Sequence, residues 1–145
     1  MDVPIALYGT YAMRLPILML ASALIATPAV AQDRVAAGEA ALSRIVEGRT
    51  SGKPVDCINL RDIRSSEIVP DIGIVYRMNN GTLMVNRPEG GTILDRDDIL
   101  VTRTIGTRLC RIDIVNLVDR NSRMPSGSLS LNDFVPYSRL PRKAN

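Results

Sequence analysis

Cys57 and Cys110 are the only cysteines in the chain, and each sits in a stretch of strand character, Cys57-Ile-Asn-Leu-Arg61 and Leu109-Cys110-Arg-Ile-Asp-Ile-Val115. A bond between them would place two segments side by side that are distant in sequence. It would also enclose most of the chain's apolar alternation. Closing a loop of about 54 residues constrains the unfolded chain by roughly 4 kcal/mol in the loop-entropy picture. Redox-active pairs use close spacing such as C-x-x-C, which is absent here, so the pair reads as a structural staple. Staples of this kind persist in oxidising compartments.

The region ahead of the staple agrees with that compartment. Residues 13–31 run Met13-Arg-Leu-Pro-Ile-Leu-Met-Leu-Ala-Ser-Ala-Leu-Ile-Ala-Thr-Pro-Ala-Val-Ala31. One basic residue, an apolar run and a small-x-small triplet form the pattern of a secretory signal peptide, cleaved after Ala31. The run is short and alanine-rich for a membrane span, and no stop-transfer charges follow it. No cysteine follows the triplet, which argues against a lipid anchor. Residues 1–12 carry Asp2 and no basic residue, so translation is expected to start at Met13. The chain then divides into a signal peptide over 1–31, a helix and linker over 32–54, a disulfide-closed β domain over 55–138, and a frayed basic tail over 139–145. A periplasmic or secreted location follows, with no stable membrane anchor after cleavage.

Of 145 residues, about 114 would remain after cleavage, enough for one domain with a real core. Histidine is absent. That removes Ser-His and Cys-His nucleophilic sites, helical histidine zinc motifs and imidazole acid–base chemistry. The net charge of +3 is small and dispersed, which points away from nucleic acid and from anionic membrane. All but Lys53 and Lys143 of the 18 basic residues are arginine, the residue suited to planar two-point contacts with carboxylate or phosphate.

Along the chain, residues 33–47 have helical spacing, with Asp33 as a cap, Val35, Leu42, Ile45 and Val46 on one stripe and Gly48 as a stop. Gly38 inside that helix costs about 1 kcal/mol relative to alanine. Thr50–Pro54 reads as a linker. Strand signals start at Val55, and the period breaks near Ile63, so a bulge or short turn is expected around Arg61–Arg64. Ile72–Met78 and Leu83–Asn86 flank Asn79-Asn80-Gly81-Thr82. A type I′ turn at Asn80-Gly81 would pair Met78 with Leu83 and Tyr76 with Val85, all four on one face. Ile99–Thr104 and Leu109–Val118 read as two more strands, 119–128 as loop, and Leu129–Val135 as a last short strand. Pro136 argues for an edge there. The fold class is mainly β: a small antiparallel barrel or sandwich of five to six strands with one N-terminal helix, in the manner of an OB-like or SH3-like barrel.

Asp95-Arg-Asp-Asp98 is the densest acidic cluster. It lacks the glycine and glutamate spacing of an EF-hand, so Asp95, Asp97 and Asp98 are weak metal candidates only, and a solvated turn is the simpler reading. Two of them could serve as hydrolase carboxylates on envelope material, although sugar-binding aromatic platforms are missing. Nothing in the sequence calls for a cofactor. Arg61, Arg64, Arg77, Arg87, Arg103, Arg108 and Arg111 recur through the strands. They suit a solvated sheet face or, more sharply, an arginine-lined groove for an acidic partner or phosphate. Polar residues at strand ends single out Arg61, Arg64, Asn86 and Arg87 as a candidate binding surface.

Cys57-Ile-Asn-Leu-Arg-Asp-Ile-Arg-Ser65, Val85-Asn-Arg-Pro88, Leu94–Arg103, Leu109-Cys110 and Phe134-Val-Pro-Tyr-Ser-Arg139 together resemble a family of small exported proteobacterial proteins of unknown function. The resemblance implies export and a shared β domain over Cys57–Arg139, and it implies no activity or cofactor. The expected function is a non-catalytic exported module that binds or supports an unknown periplasmic protein or envelope component, without nucleic acid.

Overall fold

The computed structural model describes residues 29–139, so the expected signal peptide through residue 28, with its expected start at Met13, and the tail from Leu140 onward lie outside the described residues. The described chain is mainly β. It has one helix, α1 (Ala29–Ile45), and ten strands: β1 (Arg49–Ser51), β2 (Cys57–Asn59), β3 (Ile63–Val69), β4 (Gly73–Met78), β5 (Leu83–Asn86), β6 (Asp98–Thr102), β7 (Arg108–Cys110), β8 (Ile114–Asp119), β9 (Pro125–Ser130) and β10 (Phe134–Arg139). All pair antiparallel, in a five-stranded sheet β1-β10-β5-β4-β3, a three-stranded sheet β6-β8-β9 and a two-stranded sheet β2-β7. The expected five to six strands in one barrel are thus replaced by three sheets, and no barrel closes among the described residues.

The five-stranded sheet is buried on both faces. Ile74, Tyr76, Met78 and Phe134 pack with Ile58 and Leu109 of the small sheet and with Val115, Leu117 and Leu129 of the three-stranded one. Val69, Val75, Leu83 and Val85 form the other face, covered by Leu42, Ala41, Ile45 and Val46 at the end of the helix. Helix, sheet and second β layer therefore stack in that order.

α1 begins earlier than its sequence signals. Asp33 lies inside it and caps nothing, Val35 stays exposed, and the last turn does the packing. Gly38 has a clear reason to be glycine. A Cβ there would meet Ile72 Cγ1 and the Pro70 carbonyl oxygen at 2.5 Å, so the missing side chain lets the helix rest on the β3–β4 connection. Two ion pairs secure the contact, Arg34–Asp71 at 3.2 Å and a two-point pair from Arg87 to Glu39.

The hairpin exists where expected, but its turn differs. Met78 N–H donates to the Thr82 carbonyl and Gly81 N–H to the Met78 carbonyl, so three residues form the loop. Gly81 has φ of 82° while Asn79 and Asn80 do not take positive φ. This is a type I turn followed by a left-handed glycine, and not the two-residue type I′ turn. The pairing moves by one residue: Arg77 faces Leu83, Tyr76 faces Met84, Val75 faces Val85 and Ile74 faces Asn86. Tyr76 and Met78 therefore join one core, and Leu83 and Val85 the other. A one-residue slip normally exposes an apolar face. Here both faces of β4 are covered, so the hydrophobic pattern could not choose the register.

Other corrections follow from single residues. The long strand expected over Leu109–Val118 breaks at Asp113, whose carboxylate accepts from Cys110 N–H at 2.7 Å and whose N–H donates to the Cys110 carbonyl. Pro125 and Gly127, expected in a loop, lie in β9, an edge strand that tolerates a missing donor. Pro136 lies in an interior strand, not an edge. Its carbonyl accepts from Gly52 N–H, just past the short β1 run, so its absent N–H faces the place where pairing stops. Arg49–Ser51, ahead of and within the expected linker, is strand β1. The break near Ile63 is present as a 3-10 turn, Leu60–Asp62, and a register shift between Ile63 and Ser65.

Candidate functional site

Cys57 and Cys110 are bonded, and they face one another directly across β2 and β7. The bond crosses the smallest sheet, in which three residue pairs meet. Its role is that of a staple, holding Ile58 and Leu109 in the core.

The four residues expected to share a binding surface do not share one. Arg61 and Arg64 lie where β3 begins, beside the hairpin tip: Asn79 N–H donates to the Asp62 carbonyl and its side-chain amide to the Arg61 carbonyl. Asn86 and Arg87 lie at the far end of β5, about 13 Å along the strands by the usual rise per residue. Asn86 is also fully buried, at 0% exposure. Its side-chain amide donates to the Asn132 carbonyl and its oxygen accepts from Asn132 N–H, closing the β9–β10 connection onto β5. Arg87 is engaged by Glu39, whose carboxyl that guanidinium holds below the ordinary glutamate range, first by hydrogen bonding.

The acidic cluster does not converge either. Asp98 is turned inward, 5% exposed, accepting from Asp95 N–H at 2.9 Å and from the Ser126 hydroxyl at 2.6 Å. Asp95 accepts from Asp97 N–H, and Asp97 is exposed. These are bonds that shape a turn before β6. Among the described residues no three metal-ligating groups come together.

What the fold does gather is arginine. On the helix-side face of the five-stranded sheet, α1 covers one end and leaves the hairpin-tip end open. Two adjoining depressions of about 350 and 320 Å³ lie at that end of the sheet, share Arg49 and Gly81, and reach past it to Met78 and Ser138, which belong to the other face. Arg64, Ser65, Arg77, Met78 and Leu83 complete one of them, and Asn80, Thr82, Ser138 and Arg139 complete the other. Two local features bring the guanidinium groups together. In β1 and β10, Arg49 stands directly opposite Arg139. The shift between Ile63 and Ser65 lets Arg64 line the same depression as its neighbour Ser65, where strict alternation would send the two to opposite faces.

Like charges directly opposite each other across a sheet are destabilising. Arg49 is held by donating to the Gly81 carbonyl at 2.7 Å and to the Tyr137 carbonyl at 3.3 Å. Desolvation first, and then the positive fields of Arg139 and Arg77, lower its pKa from the usual arginine value. It stays charged, as arginine does throughout the ordinary pH range. Arg77 pairs with Glu67 at 2.6 Å. Among the described residues, Arg64 and Arg139 make no ion pair, so the groove has four positive groups against one carboxylate. Such an arrangement can accept carboxylate or phosphate oxygens through several charge-assisted bonds at once. Of the four, Arg64 and Arg77 stand out in sequence as strand arginines. Arg49 and Arg139 are hidden in stretches read as helix end and tail, although the alternation Phe134, Pro136, Ser138 against Val135, Tyr137, Arg139 carries the last strand to its observed end. No family model matches this chain, and no curated protein or solved structure gives a significant match.

Proposed function

We propose that this protein is a non-catalytic binding module, exported to the periplasm or secreted, that takes an acidic protein or envelope component in the arginine groove. The observation that carries this reading is the register pair Arg49–Arg139, with Arg64 and Arg77 lining the same open end of the sheet. Like charges set side by side cost stability in the free protein, and an anion between them removes that cost. In this reading the packed β layers are a sandwich-like scaffold, stapled at Cys57–Cys110, that holds the groove rigid. Export rests on the signal pattern over residues 13–31 and on the resemblance to exported proteins. The rival reading, a hydrolase built on Asp95, Asp97 and Asp98, is less favoured because Asp98 is taken up by the Asp95 N–H and the Ser126 hydroxyl while Asp97 is exposed.

The test is a photo-crosslinking residue at Ser138, on the groove wall, in cells exporting the protein. One discrete partner is expected, and the double change R64Q/R139Q should abolish its capture while leaving the fold intact by circular dichroism. Equal capture with and without the two arginines would end the proposal.

A further inference from the structure

A second surface, separate from the arginine groove, has a different chemistry. Ile105 stands at the tip of the β6–β7 loop with 108% relative exposure, and Ile112 at the tip of the β7–β8 turn with 82%. A value above full exposure means that the side chain projects clear of its neighbours. Both line one depression of about 490 Å³ together with Arg103, Thr107, Arg108, Cys110 and Asp113. Ile114 is 55% exposed. The β6–β8 register, which sets Thr102 opposite Val115, places it beside Arg103 when continued by one residue. The loops that hold these side chains are fixed at their bases. Leu60 N–H donates to the Thr107 carbonyl, Asp113 brackets the turn through Cys110, and the disulfide ties β7 to β2.

Within the depression Arg103 and Arg108 stand against one carboxylate, Asp113. Arg111 is shared between Asp56 and Asp133 at 3.7 and 3.6 Å, and the Asp113 carboxylate is engaged by Cys110 N–H. Among the described residues Arg103 and Arg108 form no ion pair.

We propose that the Ile105 and Ile112 tips insert into an anionic phospholipid surface, with Arg103 and Arg108 at headgroup phosphates. Projecting aliphatic side chains flanked by two guanidinium groups free of ion pairs match the apolar boundary and the negative potential of such a surface, and two short tips give reversible docking and no anchor. A protein partner would need pockets matched to both tips, whereas a bilayer accepts projecting side chains of any outline. The proposal does not rest on the groove.

The chain contains no tryptophan, so a single introduced one reports locally. I105W and I112W are compared with M124W, at the exposed β8–β9 turn, using vesicles of phosphatidylglycerol, of phosphatidylcholine, and of each with brominated acyl chains. The apolar stretch before Ala31 is common to all three proteins and so cannot produce a difference between them. Emission of I105W and I112W should shift to the blue and be quenched by brominated phosphatidylglycerol, while M124W stays unchanged. Adding R103Q/R108Q should weaken the quenched fraction's apparent affinity by roughly tenfold or more, as should raising salt. Equal behaviour of I105W and M124W would overturn the proposal, as would equal quenching by the two lipids or indifference to the arginine changes.

Discussion

Tyr76 offers a sharp test of how the core is assembled. Its ring packs edge-on against Phe134, with centroids 5.8 Å apart, and the residue is 4% exposed. Its hydroxyl is buried with no hydrogen-bond partner among the described residues. A buried polar group left unsatisfied costs about 1–3 kcal/mol, whereas removing it and keeping the shape is neutral or stabilising. Tyr76→Phe keeps the ring contact and removes only the hydroxyl, so stability should rise by about 1 kcal/mol. Burial also raises the Tyr76 pKa well above the usual tyrosine value. The sign follows from linkage: the unfolded chain loses this proton near the ordinary value of about 10, while the folded chain keeps it, so stability falls as pH climbs past that point. Between pH 10 and 11 the wild type should lose about 1 kcal/mol that Tyr76→Phe does not lose. Urea denaturation followed by circular dichroism at neutral and alkaline pH measures both quantities. If Tyr76→Phe were less stable by 1 kcal/mol or so, or showed the same alkaline loss, the hydroxyl would have a partner and the reasoning would fail.

Two further perturbations probe the scaffold. Replacing both Cys57 and Cys110 by alanine should cost roughly 4 kcal/mol, read as a lower urea midpoint, with amide exchange of β2 and β7 accelerating first because that sheet is the smallest, three residue pairs with one flanking backbone bond at each end. Asn86→Ala removes two hydrogen bonds made by a fully buried side chain, one to the Asn132 carbonyl and one from its N–H, so a loss of about 2 kcal/mol is expected, with an unchanged denaturant slope.

Local chemistry was readable in sequence wherever one residue dictates one geometry. Asn80-Gly81 marks a turn, the cysteine pair marks neighbouring strands, and the break near Ile63 marks a bulge; all three are present. Register was not readable, because a strand covered on both faces has no polar side to fix it. Nor were the short strands: Arg49–Ser51 and Pro125–Ser130 owe their conformation to the partners they pair with, and not to apolar alternation of their own. The site was legible only in part for the same reason. Strand arginines can be counted in a sequence, but which of them share a groove depends on strand order. The pair Arg49 and Arg139 meets only because β10 lies between β1 and β5. Asn86, polar and at a strand end, looked like a surface residue. Its hydrogen bonds to Asn132 join segments far apart in sequence, which no local pattern reports.

The central claim is that the fold gathers Arg49, Arg64, Arg77 and Arg139 into one anion-accepting groove. The most direct measurement is titration of isotope-labelled protein with poly-glutamate, and separately with inorganic phosphate, following backbone amide resonances. Gly81, Thr82, Ser65 and Ser138 should shift together and saturate, and R64Q/R139Q should weaken binding by about tenfold or more, since a hydrogen bond to a charged group contributes roughly 1.5–3 kcal/mol. Shifts scattered over the surface, or an affinity unchanged in R64Q/R139Q, would contradict the claim.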